Sequence, residues 1–268
     1  MNYFVLGGSG FIGSNVVKLF GATPIIHDLR EDPSGRLGDI QKGDIVFHAA
    51  HFGPVDECAK NPEVTAAINV AGTKGFFDEI KNRGGFPVYF STNMVFDGGK
   101  AAYTELETPQ PITEYGRQKH DVEKYIMSLF SNYLIIRMTK VYGEGSEAFI
   151  DSWIDLLKDG KHIRAAEDMY AAPVFVADVI TSLQDVLNTT YSGVCHIGGP
   201  HERRMDEIAE LVARHMGSGM SSIERIRLQD LELVEKRSVH NSLACDTLKK
   251  QGCRIPRDIP EILREFYS

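Results

Sequence analysis

The run Tyr3-Phe4-Val5-Leu6, then Gly7-Gly8-Ser9-Gly10-Phe11-Ile12-Gly13, then Val16, Leu19 and Phe20 at helical spacing, narrows the folds open to this chain. It reads as strand, glycine turn, helix. Gly7 permits a tight turn, Gly10 a close backbone approach to a pyrophosphate, and Gly13 close packing of helix on strand. A phosphate would sit on the helix N-terminus, with Phe11 and Ile12 on the first turn beside it. The spacing is G-x-x-G-x-x-G rather than G-x-G-x-x-G, and the flanking strand and helix supply the context that glycines alone lack. A dinucleotide such as NAD or NADP is the ligand this loop fits, on a Rossmann-type doubly wound parallel α/β sheet.

Pro24-Ile25-Ile26-His27-Asp28 reads as the second strand with an acid at its end. Asp28 stands about 20 residues beyond the glycine loop, where a carboxylate takes the adenosine ribose hydroxyls and repels a 2′-phosphate. Arg30 pulls the other way, because an arginine there accepts NADP. The balance slightly favours NAD. Residues 29–43 hold one proline and three glycines, a poor setting for a crossover helix. Asp39-Ile40 stands where it could meet the adenine or form an ordinary loop. Asp44 to Ala50 is a buried strand ending in small residues, and Ala49 and Ala50 let a cofactor lie close. His48 and His51 are three apart, but nothing nearby completes a metal site, so no metal is expected. Asn61-Pro62 starts a helix, with Asn as N-cap and Pro at N1, running to about Lys81.

Net charge is −8, which argues against nucleic acid or an anionic membrane as partner. No apolar run is long enough to span a bilayer. Four cysteines without metal spacing, and an N-terminus that enters a strand with no charged leader, suggest a cytoplasmic protein with reduced thiols.

Tyr115-Gly-Arg-Gln-Lys119 carries the candidate chemistry. Residues four apart on a helix share one face. An ammonium beside a phenol stabilises the phenolate and lowers its pKa, making Tyr115 a usable general acid or base. Just before it, the strand Pro87-Val88-Tyr89-Phe90 runs into Ser91-Thr92, which places hydroxyls at the crevice end of the sheet. Further strands are expected at 133–137, 173–176 and 193–199, and helices at 147–157 and 205–216, with Asp178 capping another. A strand-like run from Ile223 to Leu228 and two short helices close the chain.

Taken together, the glycine loop, Asp28, His48-Ala49-Ala50, Asn69-x-x-Gly72-Thr73, Ser91-Thr92, Tyr115-x-x-x-Lys119 and Arg137 resemble the extended short-chain dehydrogenase/reductase family. Residues 91–98 with Tyr115 to Lys119, and the segment Arg237 to Leu243, are most similar to its dTDP-4-dehydrorhamnose reductase branch. That branch usually has Asp-Tyr where this chain has Asn93-Met94, and often Arg-Pro where it has Arg237-Ser238. Asn93-Met94 also lacks the carboxylate pair of the family's dehydratases, which argues against water elimination.

The resemblance implies a dinucleotide-binding domain over 1–145, rejoined by about 174–198, and a substrate lobe from about 146–173 and 199–245. It implies reduction of a keto group on a nucleoside-diphosphate sugar, a 4-keto-6-deoxy sugar in this branch. Tyr115 would donate the proton, Lys119 would lower its pKa and hold the nicotinamide ribose, and Thr92 would bond the carbonyl oxygen, with Ser91 the neighbouring choice. Asn93 and Arg237 would touch the substrate. Among Lys161, Arg164, Arg203, Arg204 and Arg237, some would hold the diphosphate. A nucleotide-sugar 4-epimerase and a non-catalytic NADP-binding regulatory subunit are the alternatives. The helices at about 62–81 and 115–130 could pair in a homodimer, or their apolar faces could simply cover the sheet.

Overall fold

The computed structural model describes residues 1–35, 37–143, 146 and 149–267. The chain opens with β1 (Tyr3–Leu6), α1 (Phe11–Phe20), β2 (Thr23–Ile25) and β3 (Ile45–His48). Next come α2 (Val55–Lys60), α3 (Pro62–Ala66), a π-helical turn over Ala67–Gly72, and α4 (Thr73–Arg83). Then follow β4 (Phe86–Thr92), α5 (Glu114–Leu129), β5 (Leu134–Met138), β6 (Val141–Tyr142), α6 (Ile150–Lys158), β7 (Ile163–Ala166), β8 (Tyr170–Ala171) and β9 (Val174–Phe175). The last elements are α7 (Val176–Leu187), β10 (Gly193–Ile197), β11 (Arg203–Arg204), α8 (Met205–His215), β12 (Ile223–Ile226), α9 (Asp246–Lys250) and α10 (Ile259–Phe266).

Six strands form one parallel sheet in the order β10-β5-β4-β3-β1-β2. The inner strands β3 and β5 are buried throughout, as a sheet covered on both faces requires. Side-chain alternation divides them between two cores. Val88, Phe90 and Ile136 join Val5, Val16 and Phe47 on the face covered by α1 and α7. Tyr89, Ile135 and Val46 meet Phe76, Phe77, Ile80, Val122 and Ile126 on the other. The apolar faces of α4 and α5 therefore cover the sheet within one chain.

The chain steps from β1 outward to β2 and returns to β3 on the other side of β1. That reversal is the topological switch point, and ligands bind in the crevice beyond it. No helix fills the β2-to-β3 crossover among the described residues. A third core, with Trp153, Ile154, Ile163, Ile208, Val212 and Ile262, joins α6, β7, α8 and α10.

Several local expectations need correction. The second strand ends at Ile25, so Asp28 lies in the loop beyond it, where its carboxylate bonds Arg30. Asn61 precedes α3 but caps nothing with its side chain; its amide donates to Glu57 at 2.8 Å. The helix after it is broken by the π turn, where the Asn69 side chain brackets the backbone of Phe52. Asp178 lies in the first turn of α7 and bonds Arg257 rather than capping the helix. The helix expected from Glu147 begins at Ile150; Glu147 lies outside the described residues. All four cysteines are free thiols and buried. No helix of the described residues is long and apolar enough to cross a membrane.

Candidate active site

Two cavities open at the crevice end of the sheet. The larger, of about 700 Å³, is lined by Gly7, Gly8, Ser9, Pro24 to Arg30, Ala50, His51, Phe52 and Ile68. Backbone builds its floor. Gly7 has φ of +83°, and a Cβ there would stand 2.6 Å from the Ala50 nitrogen. A Cβ on Gly13 would stand 2.1 Å from the Gly7 carbonyl oxygen, so only glycine lets α1 pack this close to the loop. The cradle and the helix N-terminus at Gly10 fit the diphosphate of a dinucleotide.

Asp28 and Arg30 face this cavity as a bidentate pair, at 2.9 and 2.6 Å. The Arg30 guanidinium holds the Asp28 carboxyl down at about 2. The other two residues expected near the adenine fall elsewhere. Asp39 opens into an adjoining cavity that shares Pro24, Ile25 and Ile26, and Ile40 is buried in the core.

The second cavity, of about 410 Å³, is lined by Phe11, Ile12, Ser91, Thr92, Asn93, Met94, Tyr115, Lys140, Arg237 and Asn241 among others. Phe11 and Ile12 thus border this cavity at the start of α1, while Ala49 is partly buried against the core. Thr113 starts α5 by accepting from the Gly116 amide at 3.1 Å. A Cβ on Gly116 would stand 2.1 Å from the Met94 carbonyl oxygen, so glycine there lets α5 seat Tyr115 against the end of β4. The Thr92 hydroxyl lines the same cavity as the Tyr115 phenol and accepts from the Met94 amide at 3.2 Å.

Electrostatics differ from the simple Tyr–Lys expectation. Protein packed around the phenol pushes Tyr115 up to about 12, with Cys58 adding to the rise and the nearby Thr92 hydroxyl opposing it. Lys119 does not draw it down here. Its ammonium is buried, donates to the Phe90 carbonyl at 3.0 Å, and lies 6.0 Å from the Tyr115 ring centre. Burial lowers Lys119 to about 8, against the support of Glu123 and Cys58. At neutral pH the pair is a protonated phenol with an ammonium behind it: a proton donor with positive charge in reserve. The His51 ring stands edge-on to Tyr115 with centres 4.9 Å apart, and burial holds His51 neutral.

The Ser91 hydroxyl is committed elsewhere, donating to Glu123 at 2.5 Å. Glu123 is fully buried one turn beyond Lys119 and also takes two bonds from Arg137, at 3.0 and 2.8 Å. Burial alone would raise its pKa; His120, Arg137 and Ser91 together outweigh that, and it lies low. This ion pair ties β4, α5 and β5 together directly behind Thr92. Asn93 donates to Asn241 at 3.2 Å, joining the end of β4 to the late segment that begins at Arg237.

Over residues 1–268 the chain matches the family model described as the RmlD substrate binding domain. The chain belongs to the RmlD substrate-binding-domain family. It is 26% identical over 282 residues to the probable low-salt glycan biosynthesis reductase Agl14 of Haloferax volcanii, covering 96% of this chain and 94% of that protein. It is 24% identical to the dTDP-4-dehydrorhamnose reductase of Sinorhizobium fredii, covering 80% and 76% respectively. In fold it is similar to the crystal structure of dTDP-4-dehydrorhamnose reductase from Bacillus anthracis in complex with NADP. There the TM-score is 0.89 at 21% identity, covering 100% of this chain and 99% of that one.

Of the cations expected at a diphosphate, only Arg237 lines this RmlD-family chain's second cavity. Lys161 pairs with Asp159 and Arg164 with Glu224 on exposed surface. Arg203 is held by Asp258, and Arg204 by Asp206. Sequence reasoning missed Lys140, Asn241 and Met169 on the cavity wall and Glu123 behind it. Lys140 carried a usable signal: it stands two residues beyond β5, where side chains face the crevice.

Proposed function

We propose that this protein is a nicotinamide-dependent reductase of a keto group on a nucleoside-diphosphate sugar, a 4-keto-6-deoxy sugar of the dTDP-4-dehydrorhamnose type. The observation that carries the reading is the meeting of Thr92 and Tyr115 in one cavity at the mouth of a parallel sheet, with Lys119 one turn behind and a glycine cradle beside it. The relatives named as dTDP-4-dehydrorhamnose reductases support the sugar class.

When bound, the reduced nicotinamide supplies the hydride. This chain's part is to hold the ketone and provide the proton. Thr92 donates to the carbonyl oxygen and Tyr115 gives up its phenolic proton as negative charge grows there. The Lys119 ammonium, one turn behind Tyr115 on α5, would hold the nicotinamide ribose. Met94, Met138, Met169 and Met205 give the cavity apolar lining that suits a deoxy position and keeps out water.

For the cofactor, the slight preference for NAD drawn from Asp28 is reversed: NADPH serves at least as well as NADH. Arg30 already neutralises the carboxylate that would repel a 2′-phosphate, and it is itself largely exposed. The NADP in the Bacillus anthracis relative supports this choice.

The test is loss of reduced-nicotinamide absorbance on mixing the protein with NADPH and a dTDP-4-keto-6-deoxy sugar. Turnover of this sugar, with simple ketones at least a hundredfold poorer in kcat/KM, is the expected result. Inversion of a sugar centre without net cofactor use would place the chain with epimerases. Nucleotide binding with no turnover would point to a regulatory subunit.

A further inference from the structure

Lys140 stands apart from the other lobe cations. Among the described residues it pairs with no carboxylate, and its ammonium lies 4.6 Å over the ring of Phe149. Its backbone is fixed, because the Lys140 carbonyl accepts from the Val174 amide at 2.9 Å where β6 meets β9. The side chain keeps surface open to the cavity that Thr92 and Tyr115 line. Surrounding protein and the nearby charge of Arg237 both push its pKa down.

Arg237 lines the same wall and spends its guanidinium on Asp56 of α2. Among the described residues the two cations share one carboxylate, which leaves this wall positive on a protein of net charge −8. An aromatic ring under an ammonium orients it without neutralising it. A ligand that brings several oxygens and negative charge completes both groups at once. Phosphate oxygens do so bidentately for arginine and as a point charge for lysine.

We infer that Lys140 and Arg237 form the site for the diphosphate of the sugar nucleotide, with Asp56 holding Arg237 in place until the ligand arrives. This rests on the reductase reading and deepens it. It moves the diphosphate away from Arg203 and Arg204, which pair with Asp258 and Asp206 and do not line this cavity.

Isothermal titration of the NADPH-loaded protein with dTDP, and with thymidine as the phosphate-free control, tests the assignment. Lys140→Met should weaken dTDP binding at least tenfold and leave NADPH affinity unchanged. Lys140→Arg should restore dTDP binding to within about threefold. Raising salt should weaken dTDP binding to wild type more steeply than to Lys140→Met. If wild type binds dTDP and Lys140→Met binds it within twofold, the inference fails while the reductase reading stands. If wild type binds neither dTDP nor any other nucleoside diphosphate, the reading fails and takes the inference with it.

Discussion

The two cavities are made from different materials. The glycine-loop cavity is shaped by backbone: the turn at Gly7, the close approach of Gly13, and the small Ala50 just beyond β3. The second is shaped by side chains that lie far apart in the chain, from Phe11 to Asn241, held by pairs such as the buried Glu123–Arg137 and the half-buried Asn93–Asn241. A backbone-built site tolerates almost no substitution at a few positions. A side-chain-built site can change its occupant by exchanging single residues. Asn93-Met94 and Lys140 belong to the second kind.

The largest expected effect on cofactor binding lies in the backbone-built half. Gly13→Ala places a methyl group 2.1 Å from a carbonyl oxygen, and backbone must move to admit it. NADPH affinity should fall a hundredfold or more, with thermal stability lowered by about 2 kcal/mol. Fluorescence titration and a melting curve check both. Binding within threefold of wild type would show that the cradle is not rigid.

Next comes the pair behind the catalytic wall. Glu123→Gln leaves the Arg137 charge buried without its partner, a cost of about 3 kcal/mol by denaturant unfolding. It also removes a charge that supports the Lys119 ammonium. Lys119 sits at about 8, below its ordinary value, so its charged form prevails below that pH and is lost above it. The wild-type rate should therefore decline as pH rises through about 8, and Glu123→Gln should move this decline to lower pH. A pH–kcat profile unchanged in the variant would confine Glu123 to a structural role.

The smallest effect is expected at the cavity rim. Arg30→Ala frees Asp28 to repel a 2′-phosphate and should shift preference toward NADH by about tenfold. Equal ratios of dissociation constants in variant and wild type would show that the Asp28–Arg30 pair does not choose the cofactor.

The same contrast explains what the sequence disclosed. Glycine spacing and continuous apolar strands are local signals, so the parallel sheet, the strand–loop–helix opening and the helix bearing Tyr115 and Lys119 were all legible. The end of β2 was not: Ile26 is apolar yet exposed, and the chain leaves the sheet at Ile25. The π turn at Ala67–Gly72 was hidden because Asn69 spends its side chain on Phe52, a contact across 17 residues. Lys140 and Asn241 meet one cavity only through tertiary packing, which no short spacing encodes. The Tyr115 pKa was misjudged for a related reason. The spacing shows which charge is near, whereas burial depends on everything else packed around the phenol.

In the proposed reaction Tyr115 supplies the proton and little of the binding. Single-turnover and steady-state rates of Tyr115→Phe, with the NADPH dissociation constant measured on the same sample, test it directly. The rate should fall on the order of a thousandfold, with NADPH bound within about threefold of wild type. A variant that keeps half of the wild-type turnover would contradict it.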